Sequence, residues 1–597
     1  MLESLRAIGE FSLQEQGKGI EDAHAILLEN PVNETYQDVV VLSFTGVKDG
    51  ELVFSGVILD KGDSEHSEKY LYKRTGSRGA NYTPCSPVAG KGIVGTFNNR
   101  ILSWAKNNIA EAGSVGQLAK AIQQQREQIV QMLAEKEKQE GLENTILTVQ
   151  IDGKYLGEIE EFKNYFLKYY FEVKAEIAHD DGVCSLCGAQ GFVMGNMKPW
   201  TFYSLDKPGF VASGLTPETG WKNFPICKTC SLLVEEGKQY TEKNLSFRFT
   251  GIRYFLLPKS VTGNKEVLDD ALVFLEKSKK QELKTKDLKQ LADEEDEILE
   301  YASEQSDALV YNFLFYAKSK EKFTILLYLP DVLPSTLKRL FQAKEQVERP
   351  FIFKRAFRKK KKEKNIEFMF ANLRLFLPTS KSFLNVVEKI FKQRAVDYHF
   401  LMARFMDRLK AQFINEKSTK VDVLKALQIL MLLQKLNLLT NKSEGDLIMG
   451  SSIIQNEVKE NVEWFFAQFP QTFDSAEKRA IFLTGVLTQF LLNIQKDERK
   501  SEPFRKNLKG LKMQQKDILK IFPEAQNKLE EYGKNYYKQL EQVISEYFVK
   551  AGSDWKISND EINFYFLLGM NLSDAKKEDN KPVFKVESKS KDNSENK

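Results

Sequence analysis

Four of the five cysteines stand in two Cys-x-x-Cys pairs, Cys184 with Cys187 and Cys227 with Cys230. That spacing lets a tight turn bring two thiolates onto one ion, and two such pairs supply the four sulfurs that a structural zinc takes tetrahedrally at about 2.3 Å. The 39 residues between Cys187 and Cys227 exceed the spacing of a common zinc ribbon, about 15 to 20. Gly188 after the first pair and Pro225 before the second offer the turn chemistry a metal knuckle needs. Disulfides are the alternative, and they would require an oxidising compartment. Redox Cys-x-x-Cys motifs, for their part, do not come doubled around one loop. The expectation is therefore a closed Zn2+ site, which holds a fold together and leaves no open position for water or substrate. Cys85 stands apart and reads as a small buried residue.

Chemistry of a second kind is suggested by basic residues, through their placement and not their total. The chain carries 87 Lys and Arg against 83 Asp and Glu, a formal charge of only +4. One dense run holds Lys354, Arg355, Arg358, Lys359, Lys360, Lys361 and Lys362. Such a run repels itself unless a polyanion is near, and a phosphate backbone is the obvious one; a solvated loop is the plainer reading. A second set spreads Lys496, Arg499, Lys500, Arg505, Lys506, Lys509, Lys512, Lys516 and Lys520 through a helical region. Several are three or four apart and can share one helix face, as a track for a single strand or as an ordinary surface. The third candidate is the loop KRTGSRGANYTPCSP, with Lys73, Arg74, Arg78 and Asn81 among glycines that permit close backbone approach. Arg and Asn read base edges in pairs of hydrogen bonds, while Lys and backbone amides hold phosphates. A plain hairpin loop is the alternative.

No catalytic constellation accompanies these groups. The four histidines, His24, His66, His179 and His399, are scattered, and GSRGANYT lacks the Gly-x4-Gly-Lys-Ser/Thr of a phosphate-binding Walker loop. Gly-x-Ser-x-Gly is missing as well. The expectation is a binding protein and not an enzyme.

The elements that would position these groups follow from periodicity. Apolar spacing predicts a helix near the start, with Leu2, Leu5, Ile8 and Phe11 on one face. Strands are expected in DVVVLSF, ELVFSGVIL and KYLYKR, with Asp49-Gly50 as a hairpin turn. A helical region containing QLAKAIQQQREQIVQMLAEKEKQ comes next, then a short LTVQIDGKYLGE hairpin. After the cysteine module, GIRYFLLP, NFLFYA and KFTILLYLP read as strands around a charged insertion, ADEEDEILEYA. Beyond about residue 380 apolar residues repeat at three and four, as in packed helices. The fold class expected is α+β and multidomain. Its segments are an N-terminal mixed α/β domain over 1–180, a zinc module over 181–260, a mixed region over 261–380, a helical connection over 381–448, a helical bundle over 449–574 and a disordered tail over 575–597. There is no run of 18 uncharged apolar residues and no apolar signal core at the start, so a soluble, cytoplasmic protein without membrane partners is expected.

In order along the chain, MLESLRAIGEF, YLYKRTGSRGANYTPCSP, CSLCG, YSLDKPGF, FPICKTCSLLVEEGKQYTEKNLSFRF and YFLLP resemble the large subunit of the type I-B CRISPR interference complex, Cascade. The resemblance is to the Csh-type or TM-type CRISPR-associated family, eighth in the Cas naming and subtype b. The resemblance is densest from 180 to 260 and weakest in the helical C-terminus. It implies a non-catalytic subunit at the crRNA 5′ end, beside backbone, Cas-five-type, Cas-six-type and small subunits. Such a subunit probes the protospacer-adjacent motif in double-stranded target DNA, helps form the R-loop, holds the displaced strand and supports recruitment of the helicase-nuclease. It also implies that the C-terminal bundle is made separately as the small subunit from an internal start. Met449 fits best, because it follows the break TNKSEGDLIMG, and Glu444-Gly445-Asp446 can be encoded as the ribosome-binding sequence GAA GGA GAT. Met402, Met406 and Met431 lie inside helical patterns. The alternative reading is a stand-alone zinc-stabilised DNA-binding factor in repair or transcription.

Overall fold

The computed structural model describes residues 1–20, 23–46, 51–75, 79–88, 90, 92–173, 178–195, 220–282, 302, 304, 308–319, 322–354, 366–442, 456–577 and 579–586. They form two compact units. The first comprises Met1–Ser246 with Asp269–Glu276 and Lys318–Thr324, and the second comprises Phe247–Leu268, Lys277–Ala317 and Ile325–Lys597. The turn at Asp49-Gly50, most of the ADEEDEILEYA insertion and residues 355–365 lie outside the described residues.

The first unit opens with α1 (Leu2–Glu15) and α2 (Ala23–Leu27), and its sheet begins at β1 (Asp38–Gly46) and β2 (Leu52–Lys61). β1 is apolar on both faces, Val39 to Leu42 being fully buried, because it is internal: β2 pairs with it antiparallel and β4 (Thr145–Ile151) parallel. The sheet is completed on the far side of β4 by β3 (Ser86–Pro87) and by β5 (Lys154–Tyr155), which returns through an Asp152-Gly153 turn at positive φ. Between β3 and β4 run α3 (Gly92–Thr96), α4 (Leu102–Asn108), α5 (Gly113–Gln124) and α6 (Arg126–Glu140). The long helical pattern thus breaks at Gln125. Its side chain leaves the helix to serve the sheet edge, accepting from Phe54 N at 2.7 Å and donating to Leu52 O at 3.2 Å.

KYLYKR is not a strand. Ser67–Tyr70 is a 3₁₀ turn and Leu71 is left-handed at φ 49°. The alternating aromatics mimic strand periodicity, but Tyr70 and Tyr72 are buried in a cluster with Val39, Val41, Cys85, Ile146 and Tyr155 without joining a ladder. Cys85 is wholly buried there, and burial pushes its thiol up to about 12.

The unit continues with α7 (Glu160–Lys168), the hairpin β6 (Ala178–Val183) and β7 (Gln190–Met194), and α8 (Lys228–Asn244). α1 and α8 cross at two glycines in backbone contact. A Cβ on Gly237 would lie 1.8 Å from Leu5 O, and one on Gly9 would lie 2.0 Å from Leu233 O. Ser12 Oγ donates to the buried Glu236 carboxylate at 2.6 Å beside this crossing.

The second unit holds a sheet in the order β11–β10–β9–β8, from β8 (Ser246–Phe249), β9 (Ile252–Ser260), β10 (Leu309–Ser319) and β11 (Lys322–Val332). Helices follow: Pro334–Glu348, Phe370–Phe376, Ser380–Phe391, Tyr398–Ile414, Lys420–Lys435, Glu457–Gln468, Ala476–Arg499, Gln515–Glu531, Lys538–Ala551 and Asn559–Leu572. Side-chain caps from Thr379, Asp397, Asn456, Ser475 and Ser558 mark five of their starts, which is why these boundaries are sharp. Helix Asn559–Leu572 is buried at every position from Glu561 to Met570. It packs against helix Ala476–Arg499 on one side, glycine to glycine at Gly485 and Gly569, and against helices Tyr398–Ile414 and Lys420–Lys435 on others. Lys478, 1% exposed, is neutralised in this core by Asp474 at 2.8 Å and Glu561 at 4.0 Å. The tail is partly folded, contrary to the expectation of disorder from 575. Val583 and Phe584 are wholly buried, and the Phe584 ring lies 5.2 Å from that of Phe465, so two apolar residues suffice to anchor a polar segment. Residues 587–597 lie outside the described residues.

Candidate metal centre and nucleic-acid interface

The two knuckles are built differently. In the first, the β6–β7 hairpin closes through Gly188 at φ +71°, whose amide donates to Cys184 O at 2.9 Å, while Cys184 N donates to Ala189 O at 2.9 Å. The second sits at the start of α8, where Cys227 is the N-cap and its Sγ accepts from Cys230 N at 3.4 Å. Paired bonds between Met194 and Ile226, at 2.8 and 3.0 Å, and Ser185 N donating to Pro225 O at 2.8 Å tie one knuckle to the other. The four Sγ atoms of Cys184, Cys187, Cys227 and Cys230 consequently lie within 4.8 Å of one another, with no disulfide among them. Sulfurs about 2.3 Å from a tetrahedral zinc stand about 3.8 Å apart, and the Cys187–Cys227 separation is 3.8 Å. The donor set fits zinc. Burial opposes ionisation of Cys184, but the amides of Cys227, Cys187 and Leu186 outweigh it and draw the thiol down to about 7. Burial raises Cys227 and Cys230, whose charged forms would need the ion itself. His179 is no ligand; its ring stacks on Trp221.

The loop after Tyr72 is gripped from both ends. Its neck is tied by Tyr82 N to Lys73 O at 3.4 Å and by Thr75 Oγ1 to Ala80 O at 2.5 Å. Two π-helical turns converge on it. Phe97–Ile101 carries Arg100, whose guanidinium donates to Gly79 O at 2.6 Å and to Asn81 Oδ1 at 3.4 Å. Tyr169–Val173 carries Tyr169 and Tyr170, whose rings lie 5.8 and 5.5 Å from that of Tyr82. Turns of this kind are rare and are frequently found at functional sites. Within the loop, Arg74 is exposed, Lys73 is ion-paired with Glu29 at 3.1 Å, and Arg78 lies outside the described residues. Asn81 corrects the sequence reading: it is 3% exposed and its amide donates to Cys85 O at 2.8 Å, so it staples the loop and does not face a ligand. Arg100 was missed because it stands in no motif and reaches the loop only through the fold.

The cations of the 496–520 segment do not all share one helix face: Lys496 and Arg499 lie on one helix, and Lys516 and Lys520, four apart, on the next. The helix ends at Arg499, a 3₁₀ turn spans Pro503–Leu508, and Lys509, Gly510 and Leu511 are all left-handed before the next helix at Gln515. They therefore surround a corner. Arg499 stacks over Tyr532, Arg505 stacks over Phe413 at 3.9 Å, and Lys509 pairs with Asp517 at 2.6 Å. Lys506, Lys512 and Lys516 are exposed. Beside the corner opens a groove of about 720 Å³ lined by Lys417, Lys496, Lys500, Arg505, Thr419 and Asn571, with Glu416 and Glu502 also on its walls. A second groove, of about 430 Å³, shares Lys417 and adds Arg404 and Arg408, which pair with Asp407 on its wall at 3.2 Å and with Asp422 at 2.6 Å. Lys417, not anticipated from the sequence, joins the two. Of the 354–362 run only Lys354 is described, ending a short helix from Phe351.

Among the described residues, then, the first unit holds a closed thiolate cage and a braced basic loop, and the second unit holds a groove lined by lysine and arginine. Family models for the CRISPR-associated protein TM1802 match the chain consecutively, the N-terminal domain over residues 1–168, the central domain over 181–332 and the C-terminal domain over 368–582. The chain belongs to the CRISPR-associated TM1802 family. No curated protein matches it. No helix among the described residues is long and apolar enough to cross a membrane.

Proposed function

We propose that this protein is the non-catalytic large subunit of a type I-B CRISPR surveillance complex. It recognises the protospacer-adjacent motif in target DNA, promotes R-loop formation, stabilises the displaced strand and supports recruitment of the helicase-nuclease. The observation that carries the reading is the loop of Lys73 to Tyr82, held by two π-helical turns and edged by Arg74 and Arg100. A motif reader needs such bracing, because specificity depends on donors arriving at the base edges already oriented. Sequence recognition beyond the motif is delegated to crRNA pairing. The cationic grooves around Lys417 fit the displaced strand, whose phosphates they would neutralise. Zinc held by Cys184, Cys187, Cys227 and Cys230 stiffens the unit that carries the loop and supplies no reactive position. Partners on this reading are crRNA and the backbone, Cas-five-type, Cas-six-type and small subunits, in the cytoplasm. The small subunit is the C-terminal bundle translated separately from Met449, which lies outside the described residues.

The test uses the assembled complex and duplexes with randomised bases flanking a matched protospacer. A short motif should be enriched, and Arg100→Ala should flatten the enrichment while leaving crRNA assembly intact. Equal binding to all flanks by the unaltered complex would end the proposal. Intact-mass analysis of the complex should show a fragment beginning at Met449, and a different first residue would remove that part of it.

A further inference from the structure

The hairpin of the first knuckle carries a feature that metal binding alone does not require. The register of β6 against β7 slips between His179 and Gly182, leaving Asp180 and Asp181 as an outward bulge. Bulges re-aim the side chains beside them, and here the His179 ring lies parallel to the Trp221 indole, with centroids 4.2 Å apart and planes 8° from coplanar. Gly182 makes room for the stack: a Cβ there would sit 2.3 Å from Val193 Cγ2 and 3.3 Å from Trp221 Cζ3. His179 is exposed and Trp221 half-buried, so the imidazole is the outer member of the pair. The Lys222 ammonium, also exposed, lies 5.7 Å from the indole centroid.

The two rings come from different knuckles. His179 stands five residues before Cys184 and Trp221 six residues before Cys227, so closing the thiolate cage brings the rings together. A bulge, a glycine and the thiolate cage together display a flat aromatic pair with the Lys222 ammonium over the indole ring. Burial does not account for that arrangement, since its outer ring is left in water.

We propose that the His179–Trp221 stack is a platform for one unpaired nucleobase of a single strand, with Lys222 meeting the adjoining phosphate. Aromatic and imidazole faces accept any base by stacking, and a lysine beside them neutralises backbone charge without selecting sequence. Asp180 and Asp181 flank the platform and disfavour continuous backbone contact, which limits the site to one base at a turn or end of a strand. This site is separate from the motif loop and its occupancy does not depend on motif reading.

The test measures binding of the full chain to a labelled oligothymidylate and to a duplex of equal length, with zinc content determined on the same samples. Trp221→Ala and His179→Ala should each weaken oligothymidylate binding about 5- to 150-fold, the range expected for one stacking contact. Duplex affinity and zinc per chain should stay unchanged. Oligothymidylate carrying 5-iodouracil should photocrosslink to the peptides containing His179 or Trp221. Wild-type affinity in both zinc-replete variants, equal losses on duplex and single strand, no binding by the unaltered chain, or crosslinks confined elsewhere would each overturn the platform. Motif enrichment by the assembled complex should survive Trp221→Ala, so failure of the platform and failure of the motif reading are distinguishable.

Discussion

Gly237→Ala places one methyl group where the backbones of α1 and α8 touch, and its outcome can be worked from the crossing. The added Cβ would lie 1.8 Å from Leu5 O, whereas real Cβ atoms stay beyond 3.0 Å from such neighbours, so the helices must separate by more than 1 Å. The obstructing atom is backbone and cannot rotate aside. Alanine is the better helix former by about 1 kcal/mol. Against that gain stand overpacking of about 1–3 kcal/mol and a gap opened along the apolar seam around buried Leu5, Ile8 and Leu233. The loss should win by about 1–2 kcal/mol, which lowers the melting midpoint of a unit of this size by about 2–8 °C. Because α8 carries Cys227 and Cys230, the variant should also release zinc to a chelator faster than wild type. Gly46→Ala is the control, since its Cβ would meet only Asp152 Oδ2 at an ordinary 3.4 Å. A Gly237→Ala protein melting at or above the wild-type temperature in calorimetry would refute the reasoning.

Replacing Cys184 by Ser should reduce bound zinc from about one per chain toward none, and retention of stoichiometric metal by elemental analysis would count against the four-thiolate set. Substituting Gln at Lys417, Lys496 and Lys500 together should lower the slope of log affinity against log salt for single-stranded DNA by about 1 for each phosphate left without its lysine; an unchanged slope would remove the groove from the strand's path. Asp63 accepts from the His66 amide at 2.9 Å and pairs with Lys69 at 3.1 Å, which together hold its carboxyl down at about 2. A depressed folded value means that this contribution to stability is present above the ordinary carboxylate range and is lost as pH falls from about 4 to 2. Asp63→Asn should therefore lose less stability than wild type across that interval, and parallel acid-denaturation curves would contradict the assignment.

What could be read before folding was chemistry carried by spacing. The cysteine pairs announced their cage because metal geometry restricts where ligands fall, and the helices after residue 380 announced themselves through apolar residues at three and four. Residue type alone does not give orientation, and there the reading went astray. Asn81 has the chemistry of a base reader but spends it on Cys85 O. Tyr70 and Tyr72 alternate like a strand yet plug a core. The lysines after Arg499 look like a helix face, but three consecutive left-handed residues turn them around a corner. Arg100 and Lys417 could not be singled out at all, since each acquires its neighbours only when distant segments meet.

Helix Asn559–Leu572 is sheathed on all sides, partly by helices that precede the chain's most evident sequence break at 441–449. A break in composition is therefore not a plane of cleavage. Protease nicking there should yield two pieces that still travel together on a sizing column. By the same logic, a C-terminal bundle made without Tyr398–Lys435 would be born with a bare greasy flank and would have to find a cover for it, in another copy of itself or in a neighbour.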